Sequence, residues 1–176
     1  MKLIPARTLS DWIKVCTLYR SAFPIYERKP FPMIINGVKR GISDVLIIEH
    51  KGKFLGLVIT IKSDKLVLVD YFAVSKKMRG KGVGSAALRL IRRKYKNKRI
   101  FLEIESVYKK ADNLSERKRR KSFYLKNGLN ETGVFVKLFG VDMELLGFGC
   151  KVCFEEYHRL YSQSYGKAIS ENVKKA

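Results

Sequence analysis

The hydrophobic positions along the chain follow two patterns that predict different elements. Four aliphatic runs have the length of buried strands: 45–50, 54–62, 65–74 and 100–107. Two segments instead repeat their apolar residues at helical spacing: 8–23 and 83–95. A third helix is expected over 113–127, where Gly128 stands in the position of a helix-ending glycine. The turn pairs Lys51-Gly52 and Ser63-Asp64 join the first three strands, which predicts an antiparallel meander.

The order of these elements predicts a mixed sheet. The strand at 65–74, the helix at 83–95 and the strand at 100–107 form a unit that is expected to cross over in parallel. An edge strand at 2–7 and a hairpin within 132–149 complete the set. The predicted class is therefore α/β (α+β), with a mixed, mostly antiparallel sheet of about six to seven strands flanked by helices.

Three further expectations concern the second half of the chain. Asn113 and Glu116 have the spacing of a capping box at the start of a helix. The five consecutive basic residues at 117–121 would wrap around that helix, which predicts a solvated surface. A last short helix is expected over 154–160, and the chain is expected to fray beyond residue 166.

A glycine-rich loop at 79–84 separates the third strand of the meander from the next helix. Free N–H groups and the helix dipole favour an anion there, and glycines let the backbone approach it closely. A Walker loop is excluded because Lys81 is followed by Gly82 rather than by Ser or Thr. A dinucleotide loop would need one more residue, although Glu103 and Glu105 lie where its ribose-binding acid would be. An ordinary β–α turn is the remaining alternative.

Size and composition fit one globular domain. The chain has 176 residues, of which 46% are hydrophobic and 30% are charged, so the composition is not that of a disordered chain. No apolar run approaches the ~20 residues of a membrane span, and the N-terminal stretch lacks the apolar core of a secretory signal. We therefore expect a cytoplasmic protein without membrane contact.

The net charge of +21 predicts affinity for polyanions such as nucleic acid. Most of the excess is lysine spread along the chain, so a solvated basic surface is the alternative, and no RNA- or DNA-reading motif is present. The cysteines, Cys16, Cys150 and Cys153, are expected to be reduced thiols. A zinc site would need two ligands beyond the pair at 150 and 153, so no metal is expected.

Two motifs together carry a resemblance to a known family. The first is R-x-x-G-x-G at 79–84 after the DYFAV strand, and the second is RRKSFYLKNGL at 119–129. At this separation they resemble the GNAT superfamily of N-acetyltransferases. The resemblance implies a single acyl-CoA N-acyltransferase-like domain at 1–150 and a C-terminal extension at 151–176 that is partly helical or frayed.

The resemblance also implies the reaction, which is transfer of an acetyl group from acetyl-CoA to a primary amine by direct attack. It implies that strand backbone pairs with the pantetheine arm and that loop amides hold the pyrophosphate. The residues implied for cofactor binding are Phe72, Ala73, Val74, Arg79, Gly80, Lys81, Gly82, Val83, Gly84, Ser85 and Asn113. Tyr124 matches the tyrosine near the CoA sulfur, and a phenol pKa near 10 suits a general acid. The alternative is that Tyr124 is a core aromatic beside Phe123.

The attacking amine must lose a proton, for which a general base or a water relay is needed. Glu103 and Glu105 are two apart on one strand and share a face, and facing carboxylates in a cleft raise each other's pKa. Glu105 is the preferred base because it lies nearer the C-terminal end of the strand. Asp70 and Glu27 are the substitutes.

The stretch at 22–33 contains three prolines, which predicts an ordered loop or a short broken helix instead of a regular helix. In GNAT-like proteins this region borders the acceptor pocket, so the candidate substrate-binding residues are Tyr26, Glu27 and Phe31, with a plain surface connection as the alternative. The acceptor would be a small-molecule or protein amine, and the chain a monomer or homodimer. The alternative function is a catalytically silent acyl-CoA sensor or a basic module that binds nucleic acid or other anions.

Overall fold

The computed structural model describes residues 1–108 and 110–176. The helices among these residues are α1 Leu9–Ala22, α2 Phe31–Lys39, α3 Val83–Lys94, α4 Leu114–Lys126, α5 Phe154–Tyr165 and α6 Lys167–Ser170. The strands in the same part of the chain are β1 Lys2–Pro5, β2 Ser43–His50, β3 Lys53–Lys62, β4 Leu66–Val74, β5 Arg99–Glu105, β6 Asn130–Leu138, β7 Val141–Gly147 and β8 Val173–Lys175. Short 3₁₀ turns cover Ile25–Glu27 and Lys76–Met78.

The strands form one sheet in the order β1-β2-β3-β4-β5-β7-β6-β8. Antiparallel pairing joins β1 to β2, β2 to β3, β5 to β7, and β6 to both β7 and β8. The predicted mixed class with a mostly antiparallel sheet is confirmed. Within the described ranges the sheet has eight strands, one more than the largest number predicted, and the additional strand is β8.

Close contacts within the chain define two compact units. The N-terminal unit comprises residues 1–61 and 69–96, and the C-terminal unit comprises residues 62–68 and 97–176. The predicted cofactor loop and acceptor stretch therefore belong to the N-terminal unit. The predicted residues Glu105, Asn113 and Tyr124 belong to the C-terminal unit.

The core of the N-terminal unit is built from α1, α2 and the strands β2, β3 and β4. Its buried residues are Val15, Leu18, Tyr19, Ile34, Val45, Ile47, Leu57, Ile59, Tyr71 and Ala73. Helix α1 begins at a capping box, in which Thr8 Oγ1 accepts from the Asp11 N–H at 3.2 Å and Asp11 Oδ2 accepts from the Thr8 N–H at 3.0 Å. The helix ends just before Pro24, as the sequence predicts.

Helix α2 is the main departure from the prediction in this unit. A regular helix was not expected within 22–33, yet α2 starts at Phe31 with Pro32 in its first turn. The prediction is wrong there because proline is tolerated in the first turn of a helix, where the missing N–H would have no partner in any case.

The end of α4 agrees with the prediction from the sequence, whereas its start does not. Gly128 follows the helix with φ of 87°, the left-handed value expected of a glycine that terminates a helix. The capping box predicted for Asn113 and Glu116 is wrong, because the Asn113 side chain makes no capping hydrogen bond. Its amide instead donates to Glu105 Oε1 at 3.3 Å, and its oxygen accepts from Arg117 Nε at 2.6 Å.

The C-terminal segment is ordered where fraying was predicted. Helix α5 continues to Tyr165, and β8 pairs with β6 in the register Val136↔Lys175 and Leu138↔Val173. Val173 is buried in this strand. The prediction is wrong because a strand of three residues is too short to show alternation in the sequence, and its order depends on pairing with a distant segment.

Candidate active site

The glycine-rich loop of the N-terminal unit connects β4 to α3 through two left-handed residues. Gly80 has φ of 73° and Gly82 has φ of 74°, and any other residue would be strained in this conformation. Arg79 precedes these glycines, and its Nε donates to the Val74 carbonyl at 3.2 Å. This hydrogen bond closes the loop onto the end of β4. The two glycines therefore direct the chain into the first turn of α3.

The loop has both the donors and the charge for an anion. The Ala86 N–H bonds to the Gly82 carbonyl at 3.0 Å, so the N–H groups of the three residues before Ala86 precede the helical hydrogen-bond ladder. Four exposed basic side chains lie in the loop or in the turn just before it: Lys76, Lys77, Arg79 and Lys81. No acidic residue occurs between Asp70 and Glu103 in the sequence. The predicted cofactor residues from 79 to 85 thus form one electropositive loop.

Strand β4 is approached closely by the backbone of β3 just before this loop. A Cβ on Gly56 would lie 2.4 Å from the Ala73 carbonyl oxygen and 3.1 Å from the Val74 Cα, so only glycine fits there. The Ser75 N–H then donates to the Leu55 carbonyl at 2.9 Å. Sequence reasoning missed Gly56, although an isolated glycine inside a strand pattern is a known signal of close backbone approach.

The predicted acceptor stretch is fixed to β4 by a buried polar network. Lys29 Nζ lies 2.6 Å from Asp70 Oδ1, and the two side chains are 7% and 0% exposed. The Tyr71 hydroxyl donates to the Glu27 carbonyl at 2.9 Å and accepts from the Lys29 N–H at 3.0 Å. The Tyr19 hydroxyl donates to the Lys29 carbonyl at 3.0 Å. The stretch is therefore an ordered segment, as predicted.

Burial keeps both phenols of this network protonated. It raises the pKa of Tyr19 to about 12, and it raises the pKa of Tyr71 further, with the charge of Asp70 acting in the same direction. Both hydroxyls can therefore donate the hydrogen bonds observed at any physiological pH. They hold the segment in place and are poorly suited to accept a proton.

The three predicted substrate-binding residues occupy different surroundings. Tyr26 and Glu27 are exposed on the 3₁₀ turn, with 72% of Tyr26 accessible. Phe31 is half-buried and packs against Trp12 and Tyr19, with ring centroids 6.1 and 5.7 Å away. The structure thus presents the first two at the surface and anchors the third to the core.

In the C-terminal unit, Tyr124 lies on α4. Its ring packs against Phe123 with centroids 5.2 Å apart. Burial raises the pKa of Tyr124 to about 12, and the nearby Arg120 opposes this shift. The hydroxyl is therefore a proton donor at neutral pH, as a general acid must be.

The carboxylate of Glu105 is bound by side chains of α4 and of the preceding loop. Arg117 Nη2 lies 2.7 Å from its Oε1, and Arg120 forms an ion pair with its Oε2. The structure brings Glu105 and Asn113 together, because the Asn113 amide also donates to Oε1. Both carboxylate oxygens of the predicted base thus already accept from cationic donors.

Glu103 shares a strand face with Glu105 but has other partners. It accepts hydrogen bonds from the hydroxyls of Tyr157 and Tyr161 on α5, the second at 2.9 Å. The sequence predicted two facing carboxylates here. In the structure, arginines bind Glu105 and tyrosines bind Glu103.

The basic run at 117–121 is less solvated than predicted. Lys121 is 8% exposed, and its Nζ lies 2.9 and 2.8 Å from the two oxygens of the buried Glu144. It also pairs with Glu131 and lies 4.8 Å above the Tyr108 ring. The prediction of a solvated helix is wrong for Arg117 and Lys121, because carboxylates on the strands beside them were not visible as partners in the sequence. Arg120 pairs with Glu105 but is exposed, as predicted.

The cysteines are free thiols. Cys150 is half-buried, its Sγ donates to the Ile100 carbonyl at 3.3 Å, and burial raises its pKa. Among residues 1–108 and 110–176, no group of three or more His, Cys, Asp or Glu side chains could hold a metal ion. None of the helices described is long and apolar enough to cross a membrane.

Comparison with known proteins places this geometry in a family. The family model of the acetyltransferase (GNAT) domain matches residues 41–129, which is half of the chain and includes the glycine loop, Glu105 and Tyr124. The chain belongs to the GNAT acetyltransferase family. The family predicted from the two motifs is thereby confirmed.

Solved structures of GNAT proteins share the fold over nearly their whole length. A GNAT-family protein from Bacteroides thetaiotaomicron has 23% identity and a TM-score of 0.77, covering 95% of this chain and 99% of its own. An aminoglycoside 6'-N-acetyltransferase complexed with coenzyme A has 11% identity and a TM-score of 0.66, covering 86% and 99%. A GNAT acetyltransferase from Elizabethkingia anophelis with acetyl-CoA bound has 16% identity and a TM-score of 0.54, covering 83% and 95%. No curated protein sequence matches this chain.

Proposed function

We propose that this GNAT protein transfers an acetyl group from acetyl-CoA to a primary amine. The observation that carries the proposal is the loop before α3, where two glycines with φ near 74° expose helix N–H groups among four basic side chains. Such a loop suits a pyrophosphate, which needs closely spaced donors and positive charge. The coenzyme A and acetyl-CoA held by two of the solved relatives support the same cofactor.

The cofactor would be held by two adjoining parts of the N-terminal unit. The amides and side chains from Arg79 to Ser85 would bind the pyrophosphate, and the backbone of Phe72–Val74 would pair with the pantetheine arm. Gly56 supports this assignment because it fixes the backbone of β4 at Ala73 and Val74. Asn113 is our further candidate for a cofactor contact, although its side chain already contacts Glu105 and Arg117.

The reaction proposed is direct attack. The amine nitrogen attacks the thioester carbonyl carbon, a C–N bond forms, and the C–S bond breaks. The leaving thiolate takes a proton from the Tyr124 hydroxyl, which is protonated at neutral pH, and the tyrosinate is then reprotonated from solvent. The amine loses its proton to a base.

For that base we propose Glu105 acting through an ordered water. Direct removal of the proton is disfavoured because Arg117, Arg120 and Asn113 already occupy its oxygens. Asp70 is a weaker substitute, since its carboxylate is wholly buried and contacts Lys29. Glu27 has an exposed side chain beside Tyr26.

We propose Tyr26, Glu27 and Phe31 as the acceptor-binding residues. Support comes from the network that orders this stretch, which keeps two exposed side chains on a fixed segment. An exposed aromatic and an exposed carboxylate suit a cationic amine. The acceptor is a small-molecule or protein amine, and we place the protein in the cytoplasm as a monomer or homodimer.

The loop assignment is tested by a thermal-shift titration of the protein with acetyl-CoA, free CoA and NAD. A ligand that binds only the folded state raises the melting temperature. We expect a rise with acetyl-CoA and CoA but none with NAD. In Gly82→Ala the rise with acetyl-CoA should be lost.

The matched control is Gly41→Ala. Gly41 has φ of 73° and an open surround like Gly82, so both substitutions strain the backbone equally. The control should melt lower without ligand yet keep its shift with acetyl-CoA. Equal shifts in both variants, or a shift with NAD alone, would remove the basis for the proposed cofactor site.

One observation favours a second function, a catalytically silent acyl-CoA sensor. Both oxygens of the proposed base are engaged by arginines. A sensor would bind CoA but release no free thiol from acetyl-CoA when amines are supplied. An amine-dependent release of thiol would exclude it.

A further inference from the structure

The longest acid-free stretch of the chain surrounds α3. Residues 71–102 contain eleven lysines and arginines and no aspartate or glutamate. Two of these cations, Arg89 and Arg93, lie four residues apart on one side of the helix, and Lys96 follows two residues after its end. We name the three the α3 basic face: Arg89, Arg93 and Lys96. All three are exposed.

The α3 basic face carries charge that no described carboxylate neutralises. In the ranges 1–108 and 110–176, no carboxylate pairs with Arg89, Arg93 or Lys96. On α4 the opposite holds, because three residues of its basic run pair with glutamates. Basic runs of similar density are thus neutralised within the protein on one helix and left exposed on the other.

Unpaired like charges on one helix face repel each other. Residues three and four apart are neighbours, and like-charged pairs at this spacing destabilise a helix. The helix dipole favours cations in the last turn, but Arg89 lies before that turn. An external polyanion would relieve this repulsion along the whole face.

We propose that the α3 basic face binds the phosphate backbone of a nucleic acid. Two of its three cations are arginines, which bind phosphate with paired donors. Along the helix Arg89 and Arg93 are about 6 Å apart, so they form a rigid pair that can face neighbouring phosphates, with Lys96 close behind the end of the helix. No aromatic residue lies in α3, so contacts to the backbone are expected instead of stacking on bases.

A membrane surface and an acidic protein fit this face less well. In the part of the chain that the structure describes, none of the exposed large hydrophobic side chains lies on α3, so nothing would insert into a bilayer. Acidic side chains of a protein partner are less densely and less regularly spaced than phosphates. The test below distinguishes both of these partners from a nucleic acid.

The test measures binding of the full chain to a fluorescent RNA duplex and a DNA duplex of about 20 base pairs, between about 50 and 200 mM KCl. We expect the affinity to fall linearly with salt on logarithmic axes. The variant Arg89→Gln/Arg93→Gln/Lys96→Gln should lose about a thousandfold or more in affinity at the lowest salt, a loss that shrinks as salt rises, and its salt slope should decrease by about 2.7. RNA and DNA would be bound alike if only the backbone is read.

A matched control removes the same charge elsewhere. Lys14, Lys39 and Lys53 are exposed and lie outside α3. Their triple change to Gln should leave the salt slope within one unit of the wild type. Both variants should keep the thermal shift with acetyl-CoA, which shows that they are folded and separates this proposal from the proposed acetyl transfer. The single variant Lys96→Gln, after the end of α3, should give about a third of the effect.

Several results would overturn the proposal. One is equal loss of affinity in the control and the α3 variant, which would assign binding to overall charge. Another is an unchanged slope in the α3 variant. Tighter binding to polyglutamate, or to phosphatidylserine–phosphatidylcholine vesicles, than to either duplex would assign the face to a protein or to a membrane.

Discussion

Lys29 Nζ and Asp70 Oδ1 lie 2.6 Å apart in the interior of the N-terminal unit, and 41 positions separate them in the sequence. The pair joins the segment after α1 to β4, two residues before the backbone proposed to pair with the pantetheine arm. The acceptor stretch and the cofactor strand are therefore linked by one buried charge pair. A substitution of either residue should shift the position of both segments.

Removing one partner of this pair should strongly destabilise the protein. Lys29→Met leaves the Asp70 carboxylate buried without its cation, which costs about 3–5 kcal/mol. Asp70→Asn is expected to cost less, because a neutral amide can still accept from Lys29. Urea unfolding followed by circular dichroism measures both, with exposed Lys14→Met as the control. A loss below about 1 kcal/mol for Lys29→Met would contradict a buried pair.

The pair between Lys121 and Glu144 should make stability depend on pH in a defined direction. Burial raises the pKa of Glu144, and Lys121 opposes that shift. Without Lys121, the folded-state pKa of Glu144 should rise further above its unfolded value. The resulting loss of stability is absent below the unfolded pKa and develops as pH rises through the folded pKa.

We therefore expect Lys121→Met to be markedly less stable than the wild type at pH 7.5 and to recover part of the difference at pH 5. The free energies of unfolding at both pH values provide the measurement. Lys118→Met, an exposed neighbour on the same helix, is the control and should show no such recovery. A difference from wild type that is the same at both pH values would argue against the buried carboxylate as its cause.

Tyr124 should affect turnover more than binding. Tyr124→Phe removes the proposed proton donor, for which a 10²–10⁴-fold loss of kcat is typical, whereas the affinity for acetyl-CoA should hold. Tyr165→Phe, a half-buried tyrosine on α5, serves as the control. Unchanged kcat in Tyr124→Phe would favour Tyr124 as a core aromatic.

The pKa of Tyr124, raised by burial to about 12, also fixes the pH dependence. Its unfolded value is near 10, so the folded state retains the proton more tightly. The resulting contribution to stability is complete below about pH 10 and is lost as pH rises towards 12. The kcat profile should accordingly show no alkaline decline due to this residue below about pH 10.

The strands of the meander could be predicted closely because each carries its own signal. The run predicted at 45–50 is β2 at Ser43–His50, and the run at 54–62 is β3 at Lys53–Lys62. Between them, Lys51 and Gly52 have φ of 50° and 75°, as a tight hairpin turn requires. Local composition decided both the strands and the turn.

The glycine loop was predictable for the same reason, since its function depends on the order of residues within six positions. The buried side of α3 is less predictable: Leu88 is buried, whereas Leu90 is only half-buried. The spacing of apolar residues allowed either leucine, and packing against the sheet selected one.

The ion pairs could not be predicted, because their partners lie far apart in the sequence. Lys121 and Glu144 are 23 positions apart, and neither residue type indicates burial. A basic run is solvated unless neighbouring strands place carboxylates beside it. The positions of those carboxylates depend on the register of β5 and β7. For the same reason the arginines on Glu105 were not foreseen.

Helix α4 is attached to its unit by ion pairs and by half-buried apolar side chains. Lys121, at 8% exposed, is the residue of this helix that is buried, Arg117 and Arg120 bind Glu105, and Phe123 and Tyr124 are half-buried. None of its apolar side chains is fully buried, so detaching it would expose less apolar surface than unfolding the sheet. The opening should therefore carry a smaller heat-capacity change and respond less to urea than global unfolding. Amide hydrogen exchange in α4 should therefore proceed through local opening, well before the β5–β7 ladder beneath it unfolds.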